Sequence, residues 1–215
     1  MSAEVLLELH YLPGIPYVSA LAAHSVVVLE QSEHYVKGSF RNRCLVATAA
    51  GPQRLSIPLQ KGKNQAQPVR DVRLAYDEPW QRQHWRTLSA AYGRAPFYAH
   101  YADLLAPFFL QKKYVFLWDW NLDLLRCLLP LLPVRADLRL SEGYHPVVPT
   151  GLSDFRNRLK PGAVPWEGYA PPAYPQVFED RLGFLPGLSI LDLLFCMGPA
   201  AASFLPVFST PQEQA

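Results

Sequence analysis

The chain has few cysteines and little net charge, and each shortage excludes a class of protein. Its three cysteines, Cys44, Cys127 and Cys196, are far apart in a chain of 215 residues. They lack the paired spacing of a zinc site or of a disulfide framework. The formal net charge is only +2 at pH 7, whereas a nucleic-acid-binding domain usually carries a concentrated basic face. We therefore expect no metal site, no nucleic-acid partner and a reducing, cytoplasmic location.

Long uninterrupted hydrophobic runs are also missing. The two most apolar stretches, residues 114–132 and 182–208, are interrupted by charged side chains and prolines, which disfavour a membrane-spanning helix. The first residues include acids and no basic segment, unlike a signal peptide. We expect both stretches to form buried helices in a protein without a membrane span.

The first thirty residues predict the start of a parallel sheet. Apolar and β-branched residues predict strands over 5–9 and 25–29, with a helix over 15–23 between them. This order is the crossover unit that connects two parallel strands. Residues that follow such strands commonly line ligand sites, which places His10 and Glu30 near a candidate site.

The next segments predict antiparallel strands. Runs over 44–49 and 54–59 are separated by a turn that contains glycine and proline, and they predict a hairpin that joins the sheet. Alternation of polar and apolar residues over 69–76 predicts another half-exposed strand. The expected fold class is therefore α/β, with a mixed β-sheet packed by helices from the C-terminal part of the chain.

Helices are predicted after residue 77. Asp77 is well placed to cap a helix that opens at Glu78-Pro79 and runs to about Tyr92. Its apolar face repeats at intervals of three and four residues. Further helices are expected from residue 95 to about 109, from 112 or 113 to about 130, and over 189–195.

A proline-rich segment interrupts this pattern. Residues 133–175 contain eight prolines and four glycines without periodicity, and they predict a loop that is either a functional lid or a mobile segment. Residues 209–215 predict a frayed tail. With 50% hydrophobic residues, the chain can bury one sizeable core, and we expect a single domain over residues 1–215.

The densest charged segment, residues 30–63, indicates an anionic ligand. Arg41 and Arg43 have the spacing of one strand face, and guanidinium groups bind carboxylate or phosphate through two hydrogen bonds. Lys61 and Lys63 would add mobile positive charge beside Gly62, although the spacing is not that of a phosphate-binding loop. The alternative is that these side chains face solvent or pair with nearby acids, with little effect on stability.

Two histidines are candidate general bases, because an imidazole exchanges protons near neutral pH. His10 lies at a strand end, and His84 lies on a helix face beside Trp80. The alternative for each is a hydrogen-bonded histidine of the core. Cys44 directly follows the arginines and could be an activated thiolate, or a small residue packed in a strand.

Several short strings occur in one order along nearly the whole chain. They include Tyr11-Leu12-Pro13, Arg41-Asn42-Arg43-Cys44, Ser56-Ile57-Pro58, Lys61-Gly62, Asp71-Val72-Arg73, Trp80-Gln81, His84-Trp85, Ala91-Tyr92 and the run from Leu188 to Phe195. Together they resemble the WbqC-like family of bacterial proteins, especially its Bacteroidetes branch. One departure is that Leu7-Glu8-Leu9 stands where the family commonly has His-Gln-Pro, so His10 or His34 would have to replace that histidine.

The resemblance implies a cytoplasmic enzyme that modifies a nucleotide-linked or lipid-linked sugar in surface polysaccharide biosynthesis, by acyl or aminoacyl transfer to an amino sugar. It implies a small anionic, sugar-linked substrate and no particular cofactor. The alternative is a non-catalytic binding or scaffold protein that recognises an anionic ligand, and the sequence also allows a homodimer. The candidate catalytic residues are His10, His84 and Glu33. The candidate substrate-binding residues are Tyr11, Tyr35, Lys37, Arg41, Asn42, Arg43, Lys61, Lys63, Trp80 and Tyr92.

Overall fold

A computed structural model describes residues 4–60, 66–111, 113–162, 169–170 and 172–205. The strands in these ranges are β1 (Glu4–Leu7), β2 (Val26–Leu29), β3 (Arg43–Thr48), β4 (Gly51–Ser56), β5 (Asp137–Leu140) and β6 (Leu152–Asp154). The α-helices are α1 (Ile15–Ala23), α2 (Trp80–Tyr92), α3 (Tyr98–Leu110), α4 (Leu117–Leu128), α5 (Glu179–Leu182) and α6 (Ile190–Met197). The predicted α/β fold class is confirmed.

Four strands form a parallel sheet in the order β5-β2-β1-β6. Two of them come from the first thirty residues and two from residues 137–154. The predicted strand, helix and strand unit is present as β1, α1 and β2, and α1 has the predicted bounds. Val5 pairs with Val27 on one side and with Ser153 on the other. Val5 and Leu7 are fully buried, as expected for a strand at the centre of a parallel sheet that is covered on both faces.

The hairpin was predicted to join this sheet, but β3 and β4 form a separate two-stranded antiparallel sheet. Its apolar side chains, such as Cys44, Val46 and Leu55, belong to a hydrophobic cluster that also contains residues of α2, α3 and α6. The hairpin therefore buries its apolar face against helices. Pairing with the parallel sheet is not needed to cover it.

The strand predicted over 69–76 is wrong. Val69–Asp71 is a single turn of 3-10 helix, and the following residues form only isolated bridges, between Leu59 and Leu74 and between Arg73 and Phe116. Alternate residues are nevertheless buried, because Val72 and Leu74 point into the core. The predicted alternation of burial holds only over residues 71–74, because Val69 and Ala75 are buried as well and Tyr76 is exposed.

The helix predicted to end near Tyr92 does so, but Asp77 is not its cap. The N-cap position is Pro79, without a side-chain hydrogen bond, and α2 starts one residue later. In contrast, Ser189 caps α6 as expected, because its side chain accepts a hydrogen bond from the amide of Leu191.

The proline-rich range 133–175 is not a loop throughout, because it supplies β5 and β6 to the parallel sheet. These strands are only four and three residues long, which is why hydrophobic periodicity does not reveal them. The tail at 209–215 lies outside the described residues. Among the helices described, none is both long and apolar enough to cross a membrane.

Candidate functional site at the carboxyl edge of the parallel sheet

The chain leaves β1 and its neighbour β6 at the same edge of the sheet, and the residues that follow the two strands meet there. The amide of Phe155 donates to the carbonyl of Leu6 at 2.9 Å, which continues the pairing beyond β6. Two residues later the amide of Asn157 donates to Oε2 of Glu8 at 2.9 Å. The parallel pairing thus holds the Glu8 carboxylate in a fixed position.

Glu8 in turn orients His10. Nε2 of His10 lies 3.1 Å from Oε1 of Glu8, and both side chains are almost completely buried. An ionised carboxylate only accepts hydrogen bonds, so Nε2 carries the proton and Nδ1 keeps a free electron pair. Among the described residues, Nδ1 has no hydrogen-bond partner. The imidazole packs against the rings of Tyr17 and Phe40, at centroid distances of 4.5 and 5.6 Å.

The Glu8 carboxylate is ionised despite its burial. Burial alone would raise its pKa, but the hydrogen bond from His10, the positive charge that His10 has when it is protonated, the charge of Arg41 and the Asn157 amide together lower the pKa of Glu8 to about 2. Glu8 therefore stays negative across the physiological range. It can stabilise a positive charge on the His10 ring.

Arg41 and Glu33 complete the buried charge cluster. Arg41 is fully buried, and its Nε and Nη2 donate to the two carboxylate oxygens of Glu33, with 2.7 Å between Nε and Oε1. Nη2 also donates to the side-chain oxygen of Asn157 at 3.2 Å, and Nη1 lies 3.8 Å from Oε1 of Glu8. Burial, against the opposing effect of Arg41, raises the pKa of Glu33 to about 6. The guanidinium is thus an internal counter-ion to two acids.

A cavity of about 400 Å³ opens beside His10. Its wall is contributed by four parts of the chain: the segment after β1 with the start of α1, strand β3 with the residues just before it, the segment after β6, and the residues that precede α6. From these parts come His10, Leu12, Pro16, Tyr17, Leu45, Leu159, Lys160 and Pro186. We call this cavity the His10 pocket.

Two residues next to the site have left-handed backbone conformations that side chains other than glycine rarely adopt. Leu12 has φ 42° and Asn157 has φ 58°. Such conformations cost on the order of 1–3 kcal/mol and persist only where the surroundings impose them. At Leu12, hydrogen bonds of the two neighbouring residues impose the conformation. The amide of Tyr11 donates to the carbonyl of Phe40 at 2.9 Å, and the carbonyl of Pro13 accepts from the amide of Ile190 at 2.7 Å.

Of the residues predicted to form the site, the structure brings His10, Glu33 and Arg41 together. Tyr35 and Asn42 lie next to them in sequence but hold the hairpin: the Tyr35 hydroxyl donates to Asn42, whose amide nitrogen donates to the carbonyl of Ile57, both at 2.9 Å. Lys37 is exposed, and Arg43 is half-buried in β3.

His84, the second predicted base, lies in the helical core away from the lining of the His10 pocket. Its Nδ1 is 2.9 Å from the hydroxyl of the fully buried Tyr11, and its ring packs edge-on against Trp80. Burial lowers the pKa of His84 to about 4. Tyr92 is also buried, and its hydroxyl accepts a hydrogen bond from the amide of Ala47 at 2.9 Å. These contacts favour structural roles.

The remaining predictions concern lysines and a cysteine. Lys61 and Lys63 lie outside the described residues. Cys44 contributes to the wall of the His10 pocket, but burial raises the pKa of its thiol far above the neutral range. The thiol is therefore protonated, which agrees with a packed strand residue.

Sequence reasoning missed Glu8 and Asn157. Glu8 follows a buried strand and precedes His10 by two residues, a signal that could have been used. Asn157 had no local signal, because it reaches the site through the pairing of β6 with β1.

A second buried acid lies at the same edge. Glu30, which follows β2, accepts hydrogen bonds from Ser141 at 2.6 Å and from Arg156 at 3.2 Å. Arg156 also donates to both carboxylate oxygens of Asp154. Glu30 thus has its own cationic partner.

Comparison with known proteins places the chain in a family. The sequence model of the WbqC-like protein family matches residues 9–153, more than half of the chain. The chain belongs to the WbqC-like protein family. This WbqC-like protein is also 26% identical to the uncharacterized protein Rv1507c of Mycobacterium tuberculosis (strain ATCC 25618 / H37Rv), in a match that covers 95% of the chain and 98% of its relative. No solved structure matches this chain. The family match contains His10, Glu33 and Arg41, whereas Glu8 and Asn157 lie just outside it.

Proposed function

We propose that this WbqC-like protein is an acyltransferase, in which His10 acts as the general base at an amino group of a sugar. The observation that carries the proposal is the hydrogen bond between His10 and the ionised, buried Glu8 at the wall of the His10 pocket. A histidine oriented by a carboxylate is suited to remove a proton from an acceptor and to return it to a leaving group.

The reaction would join an amino sugar to an acyl thioester. Nδ1 of His10 takes a proton from the amine as its nitrogen attacks the thioester carbonyl, so that a carbon–nitrogen bond forms and the carbon–sulfur bond breaks. The electron pair of the broken bond leaves with sulfur. His10 then gives the proton to the thiolate, and the products are an amide and a thiol.

The charge cluster favours this use of His10. With His10 neutral, the carboxylates of Glu8 and Glu33 exceed the single guanidinium of Arg41 by one negative charge. A proton on His10 makes the cluster neutral. The buried charges therefore stabilise the imidazolium that exists between the two proton transfers, in a site where low water content strengthens electrostatic interactions.

The same geometry changes the role of Arg41 relative to the sequence-based hypothesis. We propose that Arg41 holds the carboxylates of Glu8 and Glu33 in position and does not bind the substrate, because its guanidinium is buried against both acids. The anionic group of the substrate would then be bound elsewhere, at the mouth of the pocket.

The acceptor and the biological setting rest on the family resemblance. Members of the family are often encoded among genes for surface polysaccharides, which supports a nucleotide-linked or lipid-linked amino sugar as the acceptor and a cytoplasmic location. The alternative, a protein that binds an anionic ligand without turnover, would use the same pocket.

The test is to incubate the purified protein with acyl thioesters and nucleotide-linked amino sugars and to detect the amide product by mass spectrometry. His10→Asn should lower turnover by about 10²–10⁴-fold, the usual contribution of a general base. Glu8→Gln should lower it too, because a neutral amide does not stabilise the imidazolium. His100→Asn is the matched control, since His100 is exposed on α3.

Full activity in His10→Asn would refute the proposal. If no acceptor is acylated but nucleotide sugars raise the thermal stability of the wild type, the non-catalytic alternative is favoured, since a ligand of the folded state raises the apparent melting temperature.

A further inference from the structure

The wall of the His10 pocket is mainly apolar. Its described residues include Leu12, Pro16, Phe40, Leu45 and Leu159. Two polar side chains of the lining are already bonded: the Tyr17 hydroxyl donates to the carbonyl of Glu8 at 2.9 Å, and the Ser189 side chain caps α6. Nδ1 of His10 and the ammonium group of Lys160 remain able to bind a ligand.

This chemistry does not suit a sugar ring. Sugar hydroxyls that enter a pocket need hydrogen-bond partners, because polar groups that lose water without a new partner cost free energy. An apolar group gains free energy in the same place in proportion to the surface that it buries. The volume of about 400 Å³ lies within the usual range of small-molecule sites, about 300–1,000 Å³.

One positive charge lies at the edge of this apolar wall. Lys160 follows Leu159 directly, its side chain is exposed, and it contributes to the lining of the pocket. In the part of the chain that the structure describes, its ammonium group has no ion-pair partner. It can therefore attract an anionic group that stays in water while an attached apolar chain is buried.

We propose that the His10 pocket binds a medium-length acyl chain, with Lys160 holding an anionic group of the same molecule at the mouth. The inference rests on the proposed function, since the chain would be the acyl group of the donor. It assigns the pocket to the donor and leaves the sugar acceptor at the mouth, on the side from which it can reach His10.

Isothermal titration calorimetry with a series of carboxylates tests this assignment on the unmodified protein. Butyrate, hexanoate and octanoate differ only in methylene groups, and each buried methylene should tighten binding by about fourfold. Octanoate should therefore bind up to about 200-fold more tightly than butyrate, and glucuronate should not compete with it. Equal affinities along the series would overturn the proposal.

Substitutions locate the site. Leu45→Phe adds volume to the wall from the half-buried face of β3 and should weaken octanoate at least tenfold, whereas Leu104→Phe on the exposed face of α3 should leave it unchanged. Thermal melts of both variants show whether each is folded. Octanoate bound with wild-type affinity by folded Leu45→Phe would place the ligand elsewhere.

The charge is tested separately. Lys160→Met should weaken octanoate by up to about fivefold, the range of an exposed ion pair, and should not change the affinity for octanol. Lys113→Met is the matched control, because Lys113 lines a different cavity. The same loss of octanoate binding in both variants, or none in Lys160→Met, would remove Lys160 from the site.

His10→Asn separates this inference from the proposed function. The variant should keep the preference for octanoate over butyrate and still fail to transfer an acyl group. Binding that follows chain length together with unimpaired turnover in His10→Asn would refute the general-base role alone. Loss of turnover without any dependence on chain length would refute the acyl pocket alone.

Discussion

Replacing Arg41 by methionine tests the buried charge cluster directly. Arg41 is fully buried and is the cationic partner of Glu33 and a neighbour of Glu8. Methionine is unbranched and uncharged and fills the space of the aliphatic part of arginine, so the substitution removes the guanidinium and keeps apolar packing. It leaves the carboxyl groups of Glu8 and Glu33 in the interior without a permanently charged partner.

The expected loss is large. Removing one member of a buried ion pair typically costs about 3–5 kcal/mol of unfolding free energy, because the remaining charge has no partner. For a chain of this size that corresponds to a decrease of roughly 6–20 °C in the melting temperature. Urea unfolding at pH 8 measures the difference.

The loss of stability in Arg41→Met should depend on pH, and the direction of this dependence follows from the pKa of Glu33. Burial already raises the pKa of Glu33 to about 6 in the wild type against the opposing effect of Arg41, so removing Arg41 raises it further. A carboxyl group whose folded pKa exceeds its unfolded value stabilises the protein below the unfolded pKa, and this contribution is lost as pH rises through the folded pKa. Arg41→Met should therefore be closer to the wild type at pH 5 than at pH 8.

Two further variants make the test decisive. Arg139→Met removes an exposed arginine that pairs with Asp137 at the surface, and it should cost less than about 1 kcal/mol. Adding Glu33→Gln to Arg41→Met removes one stranded charge and should recover part of the loss. If Arg41→Met costs no more than Arg139→Met at pH 8, the charge cluster does not have the energetic role inferred from its burial.

Two other predictions concern the helical core. Burial lowers the pKa of His84 to about 4, so the protein should lose about 3 kcal/mol of unfolding free energy as pH falls from about 6.5 to about 4. Urea unfolding of His84→Gln should show a flatter pH dependence over this range, and an unchanged slope would contradict the assignment. Gly198 has φ 53°, and an added Cβ would lie 2.4 Å from the ring of Phe97. Gly198→Ala should therefore lower the unfolding free energy by about 1–3 kcal/mol, measured by thermal melts. Gly143 has open space around it, so Gly143→Ala should be close to neutral.

The parts of the fold that could be predicted are those with a local signal. The unit β1, α1 and β2 was found because each strand is an apolar run and the segment between the two runs is long enough for a helix. Strands β5 and β6 were not found, because they are short, partly exposed and surrounded by prolines. Their place in the sheet depends on pairing with residues more than a hundred positions away, which no local pattern contains.

The candidate site shows the same division. His10, Glu33 and Arg41 were proposed as one site from residue type and order, and they lie together. The spacing of Arg41 and Arg43 suggested that both would face a ligand from one strand face, but Arg41 precedes β3 and lies in a turn. Arg41 faces two acids in the interior, and one of them, Glu8, was not considered.

The order of the strands supports the proposal that His10 is the reactive group. Acids follow both β1 and β2, and each has an arginine from another part of the chain: Arg41 near Glu8, and Arg156 at Glu30. Arg156 comes from the segment after β6, so it crosses the end of β1 to reach Glu30. Both arginines at this edge are paired with acids, and the acids outnumber them, so a bound anion is not needed to balance the arginines. His10 can change its charge without breaking either arginine pair, and it lies where the residues after β1 and β6 open the pocket, as ligand sites do at the carboxyl ends of parallel strands.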